Sequence, residues 1–197
     1  GSGIAAVHAA TANNIIDRDN FPNDSMFRAL RVDPFLLHVA DNDPELAPAL
    51  RALAEDLMSR KIALVHGDVS PKHILVNPVF IDAECAVYSD PAFDLAFCIT
   101  HLLLKSVWLG NEKLRQAAAA MVDAYRAVID WEVPDELLQR AGRLAGALLL
   151  ARVEGKSPAP YLVEEEHKNN IRTQARALIL EPVPIDDLVT HWKRTSV

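Results

Sequence analysis

The sequence predicts a mainly α-helical domain built around one small β-hairpin. Two observations carry that expectation. Apolar residues recur at helical spacing over most of the chain's second half. The strand-like runs are short and close together, at 62–65, 74–76 and 79–81. Half of the 197 residues are hydrophobic, which is ample material for a core.

The elements follow in order. Gly1-Ser2-Gly3 reads as a cloning remnant, leaving 4–197 as one unit. IAAVHAAT, 4–11, reads as the middle of a helix with no cap before it, so the chain is expected to start inside a larger protein or to have lost its front part. A helix is predicted at 44–59, capped by Asp43, with Pro44 at its first position and Leu46, Leu50, Leu53, Ala54 and Leu57 on one face. The run 62–65 is a buried strand ending at His66-Gly67-Asp68. The runs 74–76 and 79–81 form a hairpin through Asn77-Pro78. Asp90 caps a helix to about 107 that is apolar on nearly all sides and belongs at a bundle centre. Two amphipathic helices come next, at 112–130 (Leu114, Ala118, Met121, Tyr125, Val128) and 135–153 (Leu137, Ala141, Leu144, Ala145, Leu148), started by Asn111 and Pro134. A loop at 155–160 precedes a helix at 163–180, and a short helix starts near Ile185.

Composition narrows the function. The 27 acidic residues outnumber the 20 basic ones, for a net charge of -7. No nucleic-acid partner is expected, because phosphate binding needs clustered Lys and Arg. The charge gives a slight preference for a cationic substrate. Apolar runs are interrupted well short of about 20 residues, so no membrane partner is expected. Cys85 and Cys98 make neither a zinc site nor a disulfide framework. Buried, reduced thiols in the cytoplasm are the expectation, with Cys98 inside an apolar run.

The polar chemistry is concentrated in 64–97, LVHGDVSPKHILVNPVFIDAECAVYSDPAFDLAF. Asp68 follows a buried strand. Asp82 falls in the second hairpin strand, in the apolar context IDAE, where a carboxylate is costly to bury unless paired or metal-bound. Two carboxylates at the ends of one hairpin can converge, one accepting a proton and the other holding a divalent cation. That division suits phosphoryl transfer, which depends on positioning and electrostatic stabilisation. Two capping carboxylates with no chemistry are the plainer alternative. HGDVSPKH also admits a metal-dependent hydrolase with His66, Asp68 and His73 as mixed ligands, although no further ligand cluster supports it.

The same segment resembles the aminoglycoside phosphotransferase and choline kinase-like phosphotransferase family. The resemblance lies in His66-Gly67-Asp68, in Ile81-Asp82-Ala83-Glu84 and in Asp90-Pro91-Ala92-Phe93-Asp94-Leu95-Ala96, in that order. It implies the C-terminal lobe of a protein kinase-like α+β fold, acting with ATP and Mg2+ on a hydroxyl of a small molecule. By that resemblance Asp68 is the catalytic base and Asp82 the magnesium ligand. Asp94 braces the catalytic loop through backbone N–H groups, and His66 packs beneath it. Lys72 is within reach of a phosphate, and the HAAT around His8 belongs to the same lobe.

Two departures stand out. His73 occupies the place of a second, metal-binding Asn. Imidazole nitrogen is a poor magnesium ligand, so a shift toward Mn2+ is expected, or a hydrogen bond from His73 to Asp68 or a phosphate. No Gly-rich loop and strand Lys precede the motif, so the expectation is a C-terminal lobe without its N-terminal nucleotide lobe. The turn at Asn77-Pro78 is also tighter than in the family. Apolar surface left by the missing lobe favours a homodimer. A degenerate kinase serving as a non-catalytic binding module is the alternative function. Glu84 should point away from Asp82 by strand alternation. His101 and His167 receive no role. Glu164, Glu165 and Glu166 read as a helix start or a cation-binding patch, and Arg152, Gly155 and Lys156 as a loop facing substrate.

Overall fold

A computed structural model describes residues 1–76 and 79–192. The turn at Asn77-Pro78 lies outside them. Helix α1 (Ser2–Thr11) takes in Ser2 and Gly3 of the Gly-Ser-Gly start, with Gly1 as its cap residue, and lies against strand β1 (Ala63–Val65). Helix α2 (Ile15–Asn20) follows, capped by the Asn14 side chain. From Asp24 to Asn42 the chain is helical without a break: α3 (Asp24–Phe27), a π-helical stretch (Arg28–Leu37) and α4 (His38–Asn42). Sequence pattern predicts none of these elements. Pro34 lies inside the π-helical stretch, where a 3.6-residue period is lost and proline normally ends a helix. The wide turn absorbs it, and the His38 N–H reaches back to the Asp33 carbonyl.

Helix α5 (Ala47–Ser59) begins three residues later than the sequence suggests. Asp43 caps the turn before it, accepting from the N–H of Glu45 (3.1 Å) and Leu46 (3.2 Å). Strand β2 (Ile74–Leu75) pairs with β3 (Val79–Phe80), Ile74 opposite Phe80. Strand β1 pairs antiparallel with β4 (Val87–Ser89), Leu64 opposite Tyr88, a strand the sequence reading did not include.

Helix α6 (Ala92–Leu109) is the axis of the molecule, buried without interruption from Ala92 to Leu104. It is long and apolar enough to cross a membrane, in contrast to the sequence expectation, but most of it is enclosed by neighbouring elements. Asp90 starts it by accepting from the Ala92 N–H (3.0 Å), and Gly110, in the left-handed region at φ 59°, ends it. Asn111 then caps α7 (Glu112–Arg126), which stops four residues earlier than predicted. Helices α8 (Pro134–Glu154) and α9 (Glu165–Leu180) pack against each other, and α10 (Ile185–His191) closes over α7 and α8. Gly142 permits that closure: a Cβ there would lie 1.9 Å from the Val183 carbonyl oxygen.

Asp90 also anchors the bundle. Arg140 of α8 donates to both its carboxylate oxygens (2.7 and 3.1 Å) and to Glu132 (2.6 Å). Burial disfavours the Arg140 charge, but the hydrogen bonds and charges of Asp90 and Glu132 outweigh it and raise its pKa. This ties the start of α6, and hence the loops before it, to the helical bundle.

Candidate active site

The loop between β1 and β2 is held from below by Asp94, in the first turn of α6. Its fully buried carboxylate accepts from the N–H of His66 (2.7 Å) and of Gly67 (2.9 Å). His8 of α1 completes the support, its Nε2 3.2 Å from Asp94 and its Nδ1 2.7 Å from the Tyr125 hydroxyl. Burial, with Asp94, Glu132 and Asp90 nearby, pushes the Tyr125 phenol well up. A carboxylate can only accept, so Nε2–H donates to Asp94, and the arrangement that satisfies the other nitrogen has the Tyr125 hydroxyl donating to Nδ1. Gly67 sits at φ +79°, and a Cβ there would meet the Cys85 carbonyl oxygen at 2.7 Å. The loop thus turns where only glycine fits.

His66 uses both ring nitrogens on the backbone. Nδ1 accepts from the Asp68 N–H (3.2 Å) and Nε2 donates to the Ile81 carbonyl (3.1 Å). It fastens the Asp68 loop to the segment carrying Asp82. It has no nitrogen left for a metal, which removes the His66–Asp68–His73 hydrolase arrangement.

Asp68, His73 and Asp82 come together, with one ligand atom from each lying within 4.8 Å of the others. His73 Nδ1–H donates to the Asp68 carbonyl (2.8 Å) and is 3.4 Å from its carboxylate. His73 Nε2 faces Asp82 Oδ2 at 3.1 Å. With Nδ1–H engaged, Nε2 meets that carboxylate either as a second N–H or with its lone pair and a shared cation between them. The second arrangement is sterically natural, since neighbouring ligands of an octahedral ion with bonds of 2.0–2.1 Å lie roughly 3 Å apart. Two carboxylates and an imidazole fit a divalent cation, and the nitrogen suits manganese better than magnesium.

The remaining positions correct the sequence reading in part. Asp82 is not in a strand: β3 ends at Phe80, and Asp82 lies in the following loop at φ 67°, with half of its side chain exposed. Its carboxylate therefore escapes the burial cost the apolar context suggested. Strand alternation does not apply to Glu84, which is exposed in a turn. Lys72 is exposed, with no hydrogen-bond partner among the described residues. Glu165, in the first turn of α9, is held below the usual carboxylate range by Lys168.

Sequence reasoning missed Arg31. It projects from the π-helical stretch, donates to the Gly67 carbonyl (2.5 Å) and pairs with Asp68 at 3.2 Å, so it fixes both the loop and the carboxylate. Its position depends on a helix that the pattern hides, and no local motif marks it. Arg152 reaches the same region from the end of α8, within electrostatic range of Asp68 and Arg31. Next to them is a cavity of about 690 Å³ lined by Arg31, Pro34, Phe35, Lys156 and Ser157, among others.

Residues 1–137 match the family model described as the phosphotransferase enzyme family. No curated protein matches the chain.

Proposed function

The chain belongs to the phosphotransferase enzyme family, and on that premise we propose that it transfers the γ-phosphoryl group of ATP to a hydroxyl of a small molecule. One observation carries the proposal: Asp68, His73 and Asp82 converge on a loop that Asp94 holds by two backbone N–H groups. Asp68 orients the acceptor hydroxyl and takes its proton as the new O–P bond forms and the bond to the leaving ADP oxygen breaks. Arg31 keeps that carboxylate in place. Asp82 and His73, beside Asp68, would hold the divalent cation, Mg2+ or Mn2+. An ion held there would supply positive charge against the transferring phosphate. Lys72, exposed on the same loop, is a further phosphate contact in this reading.

Transfer of label from γ-labelled ATP by the intact gene product tests the proposal. Asp68→Asn should lower kcat by about 10³, the scale of losing a positioned base. Full activity in that variant contradicts the reading. A second reading, a degenerate kinase that binds without turnover, is favoured by His73 at the Asn position. It requires saturable nucleotide binding with no label transfer.

The cytoplasm and a homodimer complete the proposal. Both cysteines are free and buried, and burial pushes the Cys98 thiol up to about 12, which keeps it inert. Leu75, Val76, Val79 and Ile81 of the hairpin are exposed, a face suited to a second copy. Light scattering should give twice the chain mass, falling to one chain mass in Val76→Lys. A monomer at all concentrations contradicts pairing.

A further inference from the structure

We infer that the acceptor is an anion, a small hydroxy compound carrying a carboxylate or phosphate, seated on a basic and aromatic wall that runs from Asp68 to Trp108. This rests on the phosphotransferase reading of Asp68. The wall starts at Arg31, whose guanidinium lies over Phe97 at 5.6 Å. Phe97 meets Phe35 edge to face at 5.9 Å, and Arg152 lies over Phe35 at 5.8 Å. Tyr161 is within electrostatic reach of Arg152. Lys105 Nζ sits 4.8 Å from the Tyr161 ring and 5.5 Å from Trp108, and these two rings are 4.7 Å apart. His101, against Phe97 at 5.0 Å, stands behind the wall. Arg152, Lys105, Lys72 and His73 all act on it.

Beyond Arg31, which pairs with Asp68, the wall's cations lack the carboxylate partners that many of the chain's other basic residues have. Arg28 pairs with Asp33, Arg51 with Asp41, Arg126 with Asp135, Arg172 with Glu154 and Arg176 with Asp43. Lys105 and Lys72 pair with no carboxylate among the described residues, and Asp68, the carboxylate acting on Arg152, is already held by Arg31. Arg152 gives Nη1 to the Ser157 carbonyl, while its Nε and the Tyr161 hydroxyl are buried with no hydrogen-bond partner. Two orphaned donors and an unpaired ammonium on an aromatic floor form a receptor for an anion. In a chain of net charge -7 this local surplus reverses the slight preference for a cation that composition suggested.

Calorimetric titration of the full chain with inorganic phosphate, glycerate, glycerol 3-phosphate, glycerol and choline tests the inference. The anions should bind at least about tenfold more tightly than glycerol or choline, and Arg152→Gln and Lys105→Gln should each weaken anion binding about tenfold. Lys105→Gln, on a half-buried side chain, should keep the wild-type melting temperature. Choline binding as tight as glycerate, no anion binding, or anion binding unchanged in both variants overturns the inference. Competitive displacement of glycerate by ATP also overturns it, since the wall would then belong to the nucleotide. ATP-dependent phosphorylation of choline would remove the anion inference and leave the phosphotransferase reading standing. Variant-sensitive glycerate binding, with no label transfer from ATP to any hydroxy compound, would do the opposite.

Discussion

His8, Asp94 and Tyr125 share one buried hydrogen-bonded chain from the bundle to the loop of Asp68. Much of this centre is legible in the sequence, because Asp68, Asp82 and Asp94 lie in one contiguous segment where polar residues interrupt apolar runs. Arg31 is not legible, since its contact with Asp68 crosses a separation that only the fold closes. The loop position of Asp82 is not legible either, because the hairpin strand ends at Phe80, before the apolar pattern does. His101 shows how burial at this scale becomes measurable. Burial, together with Arg152, Lys105, Lys72 and His73, pushes its pKa from an ordinary 6.5 down to about 3. Between those values the unfolded chain binds a proton that the folded chain refuses, so this group's contribution to stability declines as pH falls from 6.5 toward 3. Urea unfolding across that window should show a flatter pH dependence in His101→Asn than in the wild type. Identical slopes would show that His101 is not the titrating group.

Helix α6 joins the loop to the bundle, since it begins at Asp90 beside Arg140 and carries Asp94 one turn later. Its all-round apolar character announced a central helix directly. The stretch from Asp24 to Asn42 stayed hidden because Pro34 and the π-helical turns erase the 3.6-residue period. Glycine in helix α8 is equally misleading at sequence level. Gly to Ala normally stabilises a helix interior by about 1 kcal/mol. At Gly142 the added methyl meets the Val183 carbonyl, so Gly142→Ala should instead destabilise by roughly 1–3 kcal/mol, the cost of overpacking. Denaturant midpoints of wild type and variant check this, and a gain in stability would mean that the segment before α10 moves freely.

At the scale of the molecule, charge is unevenly spread. A chain of net negative charge pairs many of its arginines with carboxylates, while beyond the Arg31–Asp68 pair Lys105 and Lys72 meet no carboxylate among the described residues. Composition reports only the average charge, which is why the proposed anion site has no signature in the net charge. The helical bundle, the exposed hairpin and the family membership form the setting. Asp68, His73 and Asp82 are proposed to act as one metal-dependent centre. Titration of the chain with Mn2+, followed by electron paramagnetic resonance of the free ion, tests it most directly. Saturation is expected at about one ion per chain, with Mn2+ favoured over Mg2+, a smaller preference in His73→Asn, and loss of the site in Asp82→Asn. No Mn2+ uptake, or uptake unchanged in Asp82→Asn, would contradict it.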